Sequence, residues 1–543
     1  MKVRLGVFLA AFAGYFAVGL TLSLRFGYLL GDALSRTAAA QAVLLSRDPH
    51  VSAIGFIFTP LTALLQLPIV ALSYWWSAIT RWNISGIAVS ALFMAGAVTM
   101  IYGICRDRGL VRWHSTVLTA VFALNPMIVF YGANGMSEAV FLFFMCWAVR
   151  RLIRWVHTDD VHDVIVAGIA LALAYLTRYD AVVAIAAAAF LVAGVTLFRR
   201  GRGEWRAMRR QAILDAVLVA GPGLVAFVVW SATSWLITGE ALAQLSSSYG
   251  NAAILELSGG STGTPLSNAA LPIVAIVVLG PLVPLLFAVS GALARVRRDL
   301  EFFVAPVVFG AVLVFQAASY ISGSTFGFLR FYICAIPLAV VLVVQLIPPR
   351  GVVRTRRPGA FQRNRREVGP ARGLVTCTVV LSVLAVPVTG WAILQPTLSS
   401  QQYALGHLLD SHPEGAEAVA AQKIIASFST ERELAAYLDE QDLPDGSILV
   451  DTVYGFSVLA ASEHPSRFVI PSDQDFTTIL NDPAAAGVSY LLTVPNTGRG
   501  QSDAINRRYP TIYDNGGTIA TLDYEVPNVG ADQPEWRIYR VLD

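Results

Sequence analysis

The feature that most limits what this chain can become is the recurrence of apolar runs long enough to cross a bilayer. A helix needs roughly 20 consecutive apolar residues to do so. Runs near or above that length recur about eleven times, close to residues 5–24, 84–104, 115–130, 137–149, 164–176, 181–198, 212–237, 271–292, 303–321, 331–347 and 374–393. A chain of 543 residues that is 55% hydrophobic and only 14% charged is too apolar for a soluble globular protein of that size. The expected fold class is therefore a polytopic α-helical membrane protein. The first run follows Lys2 and Arg4. It is longer than a signal-peptide core and no clear small-x-small cleavage site follows it, so it reads as a retained helix.

Arginines set the orientation, because positive residues in short loops stay cytoplasmic. With Lys2 and Arg4 inside, alternate loops should be basic, and they hold Arg106, Arg108 and Arg112, then Arg150, Arg151 and Arg154, then Arg199 to Arg210, then Arg295 to Arg298, then Arg350 through Arg372. Residues 131–136 and 239–270 contain no Lys or Arg. An odd number of spans puts the N-terminus in the cytoplasm and the C-terminus outside. The net charge of +3 says little, since the two signs are segregated along the chain. Near-exclusive use of arginine, with Lys2 and Lys423 the only lysines, points to a bacterial plasma membrane protein. Arg36, Arg47, Arg178 and Arg330 fall on the outer side and need a separate reason.

Residues 25–83 form the largest loop before the second span. Its polar residues, Asp32, Arg36, Arg47, Asp48 and His50, come first; the apolar remainder is broken by Pro60 and Pro68 and ends on Tyr74, Trp75, Trp76 and Trp82. Such a run, rimmed by Trp and Tyr, suits one or two helices lying at the membrane interface. The cysteines, Cys105, Cys146, Cys334 and Cys377, sit in or beside spans and lack metal-ligand spacing.

After the membrane domain, residues 1–395, composition changes. Residues 396–543 are acidic and carry periodic soluble patterns. Thr430-Glu-Arg-Glu433 fits a capping box. Short apolar runs at 447–451, 467–471, 488–494 and 536–542 read as strands separated by helices. This predicts an extracytoplasmic α/β domain with a largely parallel sheet.

Several outer-side residues carry chemistry and each has a plainer role. Asp32 opens an amphipathic helix and is equally a helix cap or a general base, with Arg36 one turn away on the same face. Glu138, after Ser137, is a first-turn acid favoured at a helix N-terminus. Arg178, Tyr179 and Asp180 form a turn that an Arg–Asp pair alone would explain. Arg330 is an anchor or an anion contact, and Arg47 and His50 are interfacial anchors or substrate contacts. No Walker loop, Rossmann fingerprint or nucleic-acid motif is present.

Taken in order and sidedness, Asp32 in the first loop, Ser137-Glu138, Arg178-Tyr179-Asp180 and Arg330-Phe331-Tyr332 resemble the GT-C superfamily of polyprenyl-phosphate-dependent glycosyltransferases. The likeness covers about residues 1–395 and is closest to the protein mannosyltransferase and aminoarabinose transferase branch and to actinobacterial cell-wall enzymes. It implies a membrane enzyme with Asp32 as catalytic base. Arg330, Arg178 and Arg36 would hold the donor phosphate, and Glu138, Tyr179, Asp180, His50 and Arg47 would be substrate contacts. It further implies a polyprenyl-phosphate sugar, mannose or arabinose, as donor, a glycan or glycolipid acceptor, and surrounding membrane lipids. No nucleic acid and no resident cofactor are implied, while metal use varies within the superfamily. Protein mannosyltransferases show Asp-Glu where this chain has Asp32-Ala33, which argues against a protein acceptor. A lipid transporter or flippase, or a non-catalytic assembly factor with a glycan-binding tail, are the competing readings.

Overall fold

The computed structural model describes residues 2–199, 205–247, 249–257, 268–297, 299–347, 372–410 and 412–542. Among them seven helices are long and apolar enough to cross a membrane: Lys2–Arg25, Ile84–Asp107, Ala181–Phe198, Trp205–Thr238, Leu300–Ile321, Leu329–Leu346 and Thr376–Ile393. Two bent pairs raise the number to nine, Arg112–Ala123 with Pro126–Ala133 at 61° and Ala270–Leu279 with Val283–Val296 at 78°. The spans expected at 115–130 and 271–292 are thus broken, at Asn125-Pro126 and at Gly280-Pro281. Proline lacks the N–H that would continue the ladder. Asn125 restarts the first pair, its side chain accepting from the Met127 N–H at 3.1 Å.

The expectation of about eleven spans exceeds these nine by two helices. They are Glu138–Thr158, whose second half carries Arg150, Arg151 and Arg154, and Val161–Tyr175, with 15 residues. Neither meets the length and apolarity of a lone lipid-facing span, because both are sheathed by protein. Most of Glu138–Thr158 is buried, packed against Ile84–Asp107 and Val161–Tyr175. At Gly168 the Val161–Tyr175 backbone meets Trp205–Thr238 so closely that a Cβ would stand 2.7 Å from the Val219 carbonyl oxygen. Small residues permit such contacts between membrane helices. The arginine-rich stretch 350–371, with Arg200, Arg202 and Arg298, lies outside the described residues.

The first loop folds as a helix, Gly31–Leu45, followed by the short turns Val51–Ile54, Leu61–Leu64, Leu67–Val70, Ala71–Tyr74 and Ala78–Arg81. The long helix does not lie bare on a membrane surface. One side packs on the membrane body, where the Thr37 hydroxyl stands 2.8 Å from Gln66 Oε1 and 2.7 Å from Asn83 Oδ1, and donates its one proton to either. Ser85 also donates to Gln66, and Asn83 donates to the Asn134 carbonyl. The other side joins the C-terminal core: Ala42 and Val43 pack with Leu434, Ile448 and Val458, and Leu34 and Ala38 with Phe428 and Ala460. Tyr74, Trp75 and Trp76 remain exposed at the loop's tip, as interfacial anchors are.

The C-terminal region builds one five-stranded sheet from β1 (Ile448–Val450), β2 (Phe468–Val469), β3 (Tyr490–Thr493), β4 (Ala520–Val526) and β5 (Trp536–Val541), ordered β2-β1-β3-β5-β4. β1 pairs parallel with β2 and β3, whereas β5 pairs antiparallel with β3 and β4. The sheet is therefore mixed, and the expected parallel character holds only for its first half. β4 was not anticipated: Ala520, Leu522, Tyr524 and Val526 do alternate with Thr521, Asp523 and Glu525, but this edge strand has five consecutive exposed positions and lacks the continuous apolar run that marks the buried strands. The capping box also fails. The helix Ser429–Asp439 begins one residue before Thr430, whose hydroxyl instead accepts from the Val529 N–H.

Glu431 in that helix is buried and accepts from Trp536 Nε1 at 3.0 Å; burial pushes its carboxyl up from 4.5 to about 7. A carboxyl raised on folding binds more protons in the native state, so stability falls as pH rises from 4.5 to about 7 and then levels off. Glu431→Gln keeps the bond to Trp536 and removes that slope. Its stability relative to the parent should therefore rise by up to about 3 kcal/mol between pH 5 and 8, read from denaturant melts at the two pH values.

Candidate functional site

Charged side chains from four separate stretches meet at one end of the membrane body, and each sits where a helix begins. Asp32 is in the first turn of Gly31–Leu45, Glu138 opens Glu138–Thr158, Asp180 directly precedes Ala181–Arg199, and Arg330 lies in the tight turn Leu329–Tyr332 ahead of Ala335–Leu346. Helix N-termini carry a partial positive charge and favour anions, which is why the acids are tolerated there. Broken helices make such sites at membrane depth.

The cluster is a chain of ion pairs. Arg330 Nη2 donates to Asp32 Oδ2 at 2.8 Å, and its Nε lies 3.8 Å from Glu138 Oε1. Arg178 Nη1 donates to the same Glu138 oxygen at 2.8 Å, while its Nε and Nη2 clasp Asp180 Oδ2 at 3.0 and 2.7 Å. The Phe331 ring stands between the two guanidiniums, its centroid 5.5 Å from Arg178 Cζ and 5.4 Å from Arg330 Cζ. Glu138 is fully buried, and its Oε2 has no hydrogen-bond partner.

Asp32 is not a helix cap. Leu30 holds the N-cap position and makes no side-chain cap bond, so the Asp32 carboxylate is left free to face Arg330. Its side chain is 40% exposed, against 1% for Glu138 and 15% for Asp180. Burial raises its pKa, but Arg330, Arg36 and Arg178 together outweigh that and hold it below the ordinary carboxylate value. Arg36 contributes through its charge alone. Its guanidinium donates to the Asp32 backbone carbonyl at 2.6 Å and stacks on Phe58.

A cavity of about 1930 Å³ opens between the membrane body and the C-terminal sheet, lined by Asp32, Arg36, His50, Arg178, Tyr179, Asp180 and Arg330 among others. A pocket for one drug-sized ligand occupies roughly 300–1,000 Å³, so this one has room for two reactants. Glu138 lies behind the wall. Arg47 is elsewhere, bound to Asp473 and Asp475 of the C-terminal region, and acts as a tether rather than a cavity contact. Tyr179 accepts from Trp230 Nε1 at 3.3 Å. Sequence reasoning missed Phe58 and Phe328, which wall the site, and Trp230, which stacks on the lining residue Phe56; all are apolar in a chain full of such residues.

A second charged group occupies the other end of the bundle. His157, Asp299 and Glu301 are spaced as metal ligands are, but Arg108 already donates to Glu301 and to the carbonyls of Gln345 and Ile347. With a guanidinium in place, this group fits an internal ion pair better than a cation site.

Residues 82–230 match the family described as dolichyl-phosphate-mannose-protein mannosyltransferase. That stretch contains Glu138, Arg178, Tyr179 and Asp180. The fold is similar to ArnT from Cupriavidus metallidurans bound to undecaprenyl phosphate, with TM-score 0.54, 14% identity, and 99% of this chain and 97% of that one covered. The apo form of the same protein gives TM-score 0.54 and 15% identity, with 99% and 98% covered. An Archaeoglobus fulgidus oligosaccharyltransferase aligns at TM-score 0.41 and 11% identity over 91% of this chain and 70% of that one. No curated protein matches the chain.

Because Glu138 balances two arginines in a buried place, removing it leaves both without their shared anion. Glu138→Ala should destabilise the protein by about 3–5 kcal/mol. Glu138→Gln, which keeps one acceptor, should cost less. Thermal unfolding in detergent compares the two.

Proposed function

We propose that the chain is a membrane glycosyltransferase of the GT-C superfamily, a reading supported by the family match over residues 82–230 and by the ArnT-like fold. On that basis it moves a sugar, mannose or arabinose, from a polyprenyl-phosphate carrier to a hydroxyl of a cell-envelope glycan or glycolipid, with inversion. The observation that carries this reading is the meeting of one accessible carboxylate, Asp32, with Arg330 and Arg178 at the wall of a cavity sized for two reactants. The sidedness of the arginines supports placing this end of the bundle outside the plasma membrane.

In the proposed step the acceptor oxygen attacks the anomeric carbon while the bond from that carbon to the phosphate oxygen breaks. The acceptor proton passes to Asp32, and the electron pair leaves with the polyprenyl phosphate. Arg330 and Arg178 neutralise the departing phosphate; guanidinium groups suit that oxyanion. Tyr179 and His50 line the space around the sugar. The activated donor already holds the group to be transferred, so we assign no resident cofactor.

Asp32→Asn preserves shape but cannot take the proton. Transfer from a labelled polyprenyl-phosphate mannose or arabinose should fall by about 100- to 10,000-fold with the melting temperature nearly unchanged. Near-normal transfer by this variant would remove Asp32 as the base. Arg330→Ala should weaken undecaprenyl phosphate binding by about tenfold to a hundredfold, whereas Arg4→Ala, in the first turn of the first helix, should leave it unchanged.

The pH profile follows from the pairing. A lowered carboxylate pKa keeps the free enzyme competent down to acid pH, so the acid limb of kcat/KM lies below the ordinary carboxylate value of about 3.9. A phosphate on Arg330 cancels the charge that depresses Asp32. The acid limb of kcat, which reports the complex, should then sit at higher pH than that of kcat/KM.

A further inference from the structure

The same cavity has a second wall, and its architecture is that of a ligand crevice. β1 connects to its neighbour β2 through Thr452–Ala461, whose residues Val458, Leu459 and Ala461 pack with Ile448 and Val450 on one face of the sheet. β3 connects to β4 through Ala504–Arg508 and Ile512–Asn515, which pack with Leu449 and Leu491 on the opposite face. Adjacent parallel strands whose connections depart to opposite faces define a topological switch point. In open α/β sheets ligands bind outside the strand carboxyl ends at that point. Here the segments that follow β1 and β3 open into the cavity that holds Asp32, contributing Tyr454, Thr497 and Arg499.

We propose that this crevice is the acceptor subsite and that it takes the neutral, hydroxyl-rich part of a glycan. The proposal rests on the transferase reading above and names the substrate class on its second side. Three observations carry it. The crevice is braced before any ligand arrives. The Asp451 carboxylate accepts from the Val453 and Ala504 N–H groups at 2.7 and 2.8 Å and from the Tyr249 hydroxyl at 2.7 Å, joining both connections to the membrane body. Arg499 stacks over Tyr454 at 4.8 Å and donates to the Asp532 carbonyl at 2.7 Å, tying the β4–β5 connection to the same rim.

The crevice is also closed to phosphate in the manner that switch points commonly bind it. Both helix starts are filled by the chain's own carboxylates, Asp451 on Val453 and Asp503 on Ile505 and Asn506. An anionic ligand would find these N–H groups already taken, where a dinucleotide fold offers them bare. What is left is hydrogen-bonding capacity, including the Arg499 guanidinium that is bonded to a carbonyl and not to a carboxylate, and the part of the Tyr454 ring that Arg499 does not cover. Gln533 lines the cavity, and its Oε1 lies just beneath the surface without a hydrogen-bond partner among the described residues, so a small turn of the amide would offer it to a sugar hydroxyl. The donor phosphate and the acceptor are thereby sorted by chemistry to opposite walls of one chamber.

The test uses the full chain in nanodiscs with two probes. One is a panel of neutral linear manno- and arabino-oligosaccharides, read by saturation-transfer NMR, with phosphorylated versions of the same sugars as competitors. The other is undecaprenyl phosphate, read by thermal shift. The parent should take up a neutral oligosaccharide that its phosphorylated version displaces poorly. Thr497→Trp, which fills the crevice mouth, and Tyr454→Ala, which removes its aromatic face, should each weaken that binding about tenfold or more while the undecaprenyl phosphate shift stays as in the parent. Uptake of none of the neutral sugars, preference for the phosphorylated ones, or full binding by Thr497→Trp would overturn the proposal. Loss of the undecaprenyl phosphate shift in the parent alone would overturn the donor assignment and leave the crevice reading in place.

Discussion

A charge inside a membrane protein must find an opposite charge, because taking an ion out of water costs several kcal/mol even after relaxation. In this chain Asp32, Glu138, Arg178, Asp180 and Arg330 meet that demand together, although nearly 300 residues separate the first from the last. Asp180 is paired within its own turn by Arg178, but Asp32 and Glu138 are balanced only when helix beginnings from distant parts of the chain arrive at the same place. The interruptions at 26–30, 134–137, 176–180 and 325–334 bring those four beginnings together. The architecture of the membrane body around the cavity follows from keeping that chain of pairs closed.

Much of this was legible in the sequence, and the part that was not has a physical reason. Apolar runs and arginine placement reveal spans because both report on single segments. They do not reveal that Glu138–Thr158 and Val161–Tyr175 are sheathed by other helices, since shielding depends on neighbours. Asp32, Arg178, Asp180 and Arg330 stood out because an ionisable residue beside apolar runs is rare. Which acid pairs with which arginine was hidden: Arg36 looked like the partner of Asp32 by helical spacing, yet it bonds the backbone and Arg330 takes the carboxylate. In the C-terminal region the buried strands β1, β2, β3 and β5 showed as continuous apolar runs, whereas β4, an exposed edge strand, carries only the alternation of Ala520, Leu522, Tyr524 and Val526 with polar residues and was passed over.

The arginines that defy the charge bias now have their reason. Arg178 and Arg330 belong to the buried chain, Arg36 bonds the Asp32 carbonyl beside it, and Arg47 pairs with Asp473 and Asp475 of the acidic C-terminal region; Arg81, in the same loop as Arg47, pairs likewise with Asp439 and Glu463. The acidity of that region is thus matched to the first loop it covers. Gly31–Leu45 is a wall shared by both parts, with Ala42 and Val43 in the C-terminal core and Thr37 bonded to the membrane body. Asp32 is positioned by both at once.

The pairing within the cluster shows why Asp32 differs from the other two acids. Arg178 and Arg330 are both held by carboxylates, whereas Arg36 bonds only a backbone carbonyl and lines the cavity as a guanidinium without a carboxylate partner among the described residues. A donor phosphate bound on Arg330 or Arg178 must therefore displace a carboxylate, while Arg36 can meet it without doing so. Glu138 is sealed in, and Asp180 is clasped by two nitrogens of Arg178; Asp32 holds Arg330 by one bond and is the most exposed of the three. It is the acid that can yield at least cost, and the water or hydroxyl it then faces lies in the cavity. In the proposed reaction, phosphate binding on Arg330 and release of the base are one event, which confines a free, more basic carboxylate to complexes that already contain the donor.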